Sequence, residues 1–228
     1  MCGRYRLSRQ KEMLAERFGI EPDDDWMPRY NIAPTQNVPV IRQQAEQAGR
    51  FSVRMRWGLI PSWAKDARSG VKMINARAET VASKPAFQEA LRKRRCLIPA
   101  DGFYEWTKAG KNKTPFCFTM ADGGLFAFAG LWESWRDLQG QAVESCSIIT
   151  TTANALCAGV HDRMPVILPE DRYDLWLDPA FQAPDAIVAL LQPFAAEQMH
   201  GYEVSSRVNR VQNDDAECAE PVMNTRLF

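Results

Sequence analysis

The chain is 228 residues long with 46% apolar and 25% charged side chains, a size and mixture that support one well-filled core and exclude a disordered chain. No apolar run approaches the roughly 20 residues that span a bilayer, and MCGRYRLSRQKEML has no apolar h-region, so neither a membrane span nor a signal peptide is expected. Lys plus Arg (28) equals Asp plus Glu (28), which taken whole argues against a nucleic-acid partner; yet residues 1–114 carry 22 basic against 12 acidic side chains, and residues 115–228 carry 6 against 16.

In chain order, Ser8 to Phe18 reads as a helix with Ser8 as N-cap, Met13, Leu14 and Phe18 on one face, and Gly19 to end it. The acidic run Glu21–Asp25, interrupted by Pro22, is a loop. Val38–Arg42 and Phe51–Met55 form a strand pair around a polar Gln/Gly turn. Ser83–Pro85 opens a second helix that carries Phe87, Ala90 and Leu91 and ends in the basic run Arg92–Arg95. Cys96–Pro99, Phe116–Met120, Leu125–Ala129, Ser147–Thr151 and Val166–Leu168 are short β-prone runs separated by Gly, Asn or Asp. Asp171–Leu177 and Asp185–Leu191 are helical, with Pro184 before the second. Strands dominate the middle without regular βαβ alternation. The expected fold is α+β: one domain over residues 1–228, with a largely antiparallel, barrel-like sheet and peripheral helices.

The six cysteines are scattered with no C-x-x-C pair and there are only two histidines, so no metal site and no cofactor are expected, and the thiols are those of a cytoplasmic protein. Cys2 is the most informative. Removal of Met1 exposes an α-amine of pKa about 7.7–8.0 beside a thiol of about 8.5. Such a pair captures aldehydes: the amine forms an imine, and the thiol closes a thiazolidine ring. The same residue could serve as the nucleophile of amide hydrolysis, or be an early cysteine with no role.

His161, in GVHDRMPVIL beside Asp162 and Arg163, is a candidate acid/base, or else an ordinary surface or core histidine. Glu105 lies between Tyr104 and Trp106. Enclosed by aromatic rings, its carboxyl would hold a proton at raised pH; on a strand with both rings turned inward, it would simply face solvent. Asn75, Arg77 and Glu79 alternate, so an extended segment aims an amide, a guanidinium and a carboxylate to one side, as a solvated strand face would too. Residues 26–114 carry 17 basic against 6 acidic side chains, interleaved with Trp57, Trp63, Phe87, Phe103, Tyr104 and Trp106. Cationic grooves with aromatic platforms suit single-stranded nucleic acid, although a tryptophan-rich core under a solvated basic surface has the same composition.

Taken in order, MCGRY, RYNIAPTQ, RWGLIPSWAKD, INARAET, RCLIPADGFYEW, GLWE, TTAN and HDRMPVIL resemble the SRAP (SOS response-associated peptidase) family, and VSSRVNRVQND is similar to its closing segment. The resemblance implies a monomeric SRAP domain that binds abasic sites in single-stranded DNA and attaches Cys2 covalently to the open-chain sugar aldehyde. The protein would be cytoplasmic, and nucleoid-associated when bound to DNA. In that reading Cys2 is the nucleophile, Asn75 positions the sugar, Glu105 donates and accepts protons, and His161 assists ring opening. Arg4, Arg77 and Arg163 match positions near DNA phosphates. Trp63 matches an aromatic near the DNA, followed here by Ala64 where some members carry a second Trp. A thiol autopeptidase using Cys2 and a non-covalent single-strand-binding module are the alternatives. The expected surface is a local basic groove on a globally neutral molecule.

Overall fold

A computed structural model describes residues 2–21, 23–43, 49–107 and 113–222. Met1, Pro22 and the expected turn between the first strand pair, at 44–48, lie outside the described residues. The elements run β1 (Tyr5–Leu7), α1 (Lys11–Phe18), β2 (Arg29–Ile32), β3 (Asn37–Gln43), β4 (Arg50–Trp57), β5 (Asn75–Arg77), α2 (Gln88–Lys93), β6 (Arg95–Ala100), β7 (Gly102–Trp106), β8 (Pro115–Met120) and β9 (Phe126–Arg136). They continue through β10 (Ala142–Thr152), α3 (Ala155–Ala158), β11 (Arg163–Pro165), β12 (Ile167–Leu168), α4 (Tyr173–Leu177), α5 (Pro184–Val188) and β13 (Met199–Glu203).

Five strands close on themselves: β10 pairs with β4, β4 with β3, β3 with β6, β6 with β9, and β9 again with β10. The β4–β10 seam is parallel (Arg56 beside Ser145, Trp57 beside Cys146), and the other four pairings are antiparallel. The α+β, barrel-like expectation therefore holds. A second, wholly antiparallel sheet runs β13–β8–β7–β1–β2. Tyr5 of that sheet packs edge-on against Trp57 and Phe128 of the barrel, at centroid distances of 5.3 and 5.7 Å. Each such fully buried ring contributes on the order of 2 kcal/mol through burial, plus about 0.5–1.5 kcal/mol for the edge-to-face geometry.

Two features of β10 place the site. On one edge it pairs first with β4 and then, past the end of β4, with β5, Ile148 beside Asn75 and Thr150 beside Arg77. On the other edge it leaves β9 and takes β11, Thr150 beside Pro165 and Thr152 beside Arg163. The end of β10 thus carries Asn75 and Arg77 on one flank and Arg163 on the other.

Some boundaries differ from the sequence expectation. Helix α1 starts at Lys11, because Ser8 gives its N–H and hydroxyl to the carboxylate of Asp101 (3.0 and 2.6 Å) instead of capping a helix. Gly19 does end it, at φ 63° with its N–H on Ala15 O. Regular helix in α2 begins only at Gln88, after a turn. Strands β9 and β10 are eleven residues each, because they continue past the apolar run as a hairpin. The Val166–Leu168 run divides: Val166 sits between β11 and β12 and bonds to both Ile149 and Ala129. Only Pro184–Val188 of the last expected helix is α-helical.

Candidate functional site

Cys2 precedes β1 and is completely buried. Its carbonyl accepts a hydrogen bond from Asn75 Nδ2 at 2.8 Å, which ties the first residues of the chain to β5. The Arg4 N–H points at the sulfur. Burial pushes the thiol far above its usual range, and the charge of nearby Glu105 pushes the same way. The sulfur is therefore S–H at neutral pH and needs a base to act.

Glu105 is the penultimate residue of β7, opposite Phe116 of β8. Its neighbour Tyr104 turns into a small second core with Cys117, Val204 and Val208, and gives its hydroxyl proton to Tyr30 O at 2.7 Å. Strand alternation sends Glu105 to the opposite face, but that face is covered: the residue is 4% exposed. The solvent-facing reading is excluded. Burial raises its pKa and the nearby Asp162 carboxylate adds to the rise, while the Trp106 N–H works against it. Cys157 on α3 feels the same carboxylate; burial and Glu105 together push its thiol up to about 12.

His161 follows α3, whose first turn is capped by Asn154 Oδ1 accepting from Cys157 N. The imidazole Nδ1 accepts the Arg163 N–H at 2.9 Å and lies 3.0 Å from Asp162 Oδ1. The Nδ1 edge of the ring is thus engaged by the 162–163 turn. Glu105 and His161 line one cleft of about 560 Å³ together with Arg4, Trp106, Lys113 and Asn209. Beyond Trp106, Lys113 and Asn209 it opens into a wider groove of about 1000 Å³.

Cys2, Asn75, Glu105 and His161 are thus brought together from four parts of the chain. The cationic candidates are more dispersed. Arg4 is half-buried; its Nη1 donates to Asn31 Oδ1 (2.8 Å) and Val208 O (2.7 Å), and its guanidinium carbon lies 5.8 Å from the centroid of the Trp106 ring. Ala76 and Ala78 are buried while Arg77 and Glu79 face outward, as the alternation indicates. The Glu79 carboxylate, however, holds Arg163 through both guanidinium amino groups, and Arg163 Nη2 also donates to Thr150 O at 2.7 Å. Trp63, 66% exposed, sits on the β4–β5 connection and does not line the cleft. Of the six interleaved aromatics named from the sequence, Trp106 lines this cleft; Lys113, Asn31 and Asn209 escape the sequence reading, and the motifs RYNIAPTQ and VSSRVNRVQND were the available signal for the two asparagines. Among the described residues, no three of His, Cys, Asp and Glu gather as a metal-holding group, and no helix is long and apolar enough to cross a membrane.

The family model described as SOS response associated peptidase (SRAP) matches residues 1–211. The abasic site processing protein YoqW of Bacillus subtilis is 45% identical over 224 residues, spanning 96% of this chain and 99% of the relative. The abasic site processing protein HMCES of Gallus gallus is 31% identical, over 97% of this chain and 78% of its own. A crystal structure of a protein from Bacteroides thetaiotaomicron superposes with a TM-score of 0.87 at 28% identity, covering 97% of this chain and all of the other.

Proposed function

The chain belongs to the SOS response associated peptidase (SRAP) family, and on that premise we propose that it processes abasic sites in single-stranded DNA, capturing the ring-opened sugar as a thiazolidine on Cys2. The observation that carries this reading is the enclosure of Cys2 with a carboxyl: Cys2 and Glu105 are both buried, the charge of Glu105 acts on the Cys2 thiol, and Glu105 lines a cleft together with His161. The relatives named above supply the abasic site as substrate class.

With Met1 removed, the Cys2 nitrogen is an amine. Ring opening, which His161 assists, moves the proton of the C1′ hydroxyl to the ring oxygen; the amine then attacks C1′ of the resulting open-chain aldehyde. Neutral Glu105 protonates the hydroxyl of the carbinolamine, which leaves as water and gives an imine. The carboxylate so formed takes the proton of the Cys2 thiol as sulfur adds to the carbon of the protonated imine, and the nitrogen keeps its one proton as the ring amine. Aldehyde and aminothiol become thiazolidine and one water. The raised pKa values of the two groups suit this order, because Glu105 starts as the acid and becomes the base only when the S–H must be deprotonated. A closed thiazolidine lacks the imine that promotes strand scission by β-elimination.

Intact-mass analysis of the protein with an abasic oligonucleotide tests this. The expected product is a heat-stable adduct weighing strand plus Met1-free protein less one water, and none with Cys2→Ala. A heat-stable adduct formed by Cys2→Ala overturns the proposal. Equal binding of intact and abasic strands with no covalent species makes the protein a non-covalent single-strand binder.

A further inference from the structure

The motifs RYNIAPTQ and VSSRVNRVQND have no part in the chemistry above, yet the fold sets them against each other. Asn31 in β2 is completely buried. Its Nδ2 donates to the carbonyls of Val208 (3.2 Å), Arg210 (3.0 Å) and Asn213 (2.6 Å), while its Oδ1 accepts from Arg4 Nη1. Asp214 closes the same junction from the other side: Oδ1 accepts the N–H groups of Tyr30 (2.6 Å) and Asn31 (2.8 Å), and Oδ2 pairs with Arg29. The segment 205–215 so fastened is a strap, and it forms a wall of the cleft, since Asn209 lines it and accepts the Trp106 indole N–H at 2.7 Å.

We propose that Asn31 is a positioning residue for the bound strand: it locks the strap and the Arg4 guanidinium into one unit, so that Arg4 Nη2 is presented, already oriented, to a backbone phosphate in the cleft. This rests on reading the cleft as a single-stranded DNA site. Both hydrogen bonds of Arg4 to the protein leave from Nη1, so one side of its fork is anchored while Nη2 makes no hydrogen bond among the described residues. A guanidinium fixed in this way loses less rotamer freedom when it meets a phosphate than one that sweeps through solvent. The amide side chain is what the junction requires. Its amino group faces three carbonyls and its oxygen faces a cation, whereas a carboxylate would meet the carbonyls with like partial charge.

The test uses the full chain and an intact, non-abasic oligonucleotide titrated across salt concentrations, so that it stands whether or not an adduct forms. Asn31→Ala is expected to weaken binding about tenfold, the loss of one charge-assisted hydrogen bond. The slope of log K against log salt should become shallower by about 0.7, one single-strand phosphate contact. On an abasic strand, the half-saturating concentration should rise in step while the rate at saturation stays within about twofold. A folded Asn31→Ala protein with unchanged affinity and slope overturns the proposal. So does one in which the saturated rate falls as far as the affinity, because that marks a general disturbance. If Asn31→Ala does not fold, Asp214→Asn decides: it loosens the strap without touching Arg4 and should move affinity and slope the same way by a smaller amount, no change overturning the proposal. Failure of the wild-type protein to form an adduct counts against the covalent reading alone.

Discussion

The Glu105 carboxyl is held where its charged form is poorly solvated, and that gives it a pH signature apart from any reaction. Its pKa in the folded protein is raised by burial above the unfolded value. The folded state therefore holds this proton more tightly, and the stability it confers is complete below the ordinary carboxylate range and is lost as pH rises through the raised value. Glu105→Gln is neutral at every pH. Its stability relative to the parent should rise as pH goes from about 4 to about 8, as read by urea melts; a gap that does not change with pH would show that the carboxyl titrates alike in both states. The same substitution should slow adduct formation by about 10²-fold or more. At this scale the roles given to Cys2, Asn75, Glu105 and His161 came from the motifs that carry the family resemblance, and the fold adds that Asn75 bonds to Cys2 while Glu105 and His161 share a cleft. The sequence is least legible for Arg163. Nothing local indicates that its guanidinium is taken by Glu79, 84 residues earlier in the chain.

Among the elements, the connection between β4 and β5 decides where Asn75 stands. Gly58 donates to Cys146 O, Leu59 to Met73 O and Ile60 to Ser145 Oγ, so the connection is stitched to β10 and to its own far end. The closest approach is between two glycines: a Cβ on Gly58, which also has φ 128°, would lie 2.7 Å from Gly70 O. Gly58→Ala should cost about 1–3 kcal/mol and lower the melting temperature by a few degrees. Adduct formation should fall with it, because the Asn75 bond to Cys2 depends on this register. An unchanged melting temperature would mean that the two backbones part without penalty. Helices α1 and α2 and the apolar strands were legible from period and punctuation, though not to their ends. Strands β1, β2 and β13 were not, because three to five residues carry too little pattern and are strands only through their partners. Hairpin β9–β10 was read short, because Glu133, Ser134 and Arg136 look like a loop until they are seen to pair across the turn.

For the molecule as a whole, the uneven division of charge along the chain has a spatial resolution. Arg17 pairs with Glu170, Arg29 with Asp214, Arg42 with Glu144, Arg50 with Asp174 and Arg94 with Glu133. Each of these joins the basic half to the acidic half, so part of the excess ties segments together. Of the cations the family resemblance and the cleft single out, Arg4 and Lys113 line the cleft and Arg77 faces outward from β5. Binding of intact single-stranded DNA should accordingly show a salt slope near about −2, three phosphates at about 0.7 each. A slope of about −5 or steeper would mean that the basic half acts together. The strap carries a further consequence, for the timing of synthesis. Arg4 finds its anchor at Val208, 204 residues downstream. At roughly 5–20 residues per second, a ribosome needs about 10–40 s to cover that distance. The first residues to leave the exit tunnel therefore wait for nearly the last ones. Until then the nascent chain lacks the wall of the cleft that segment 205–215 supplies.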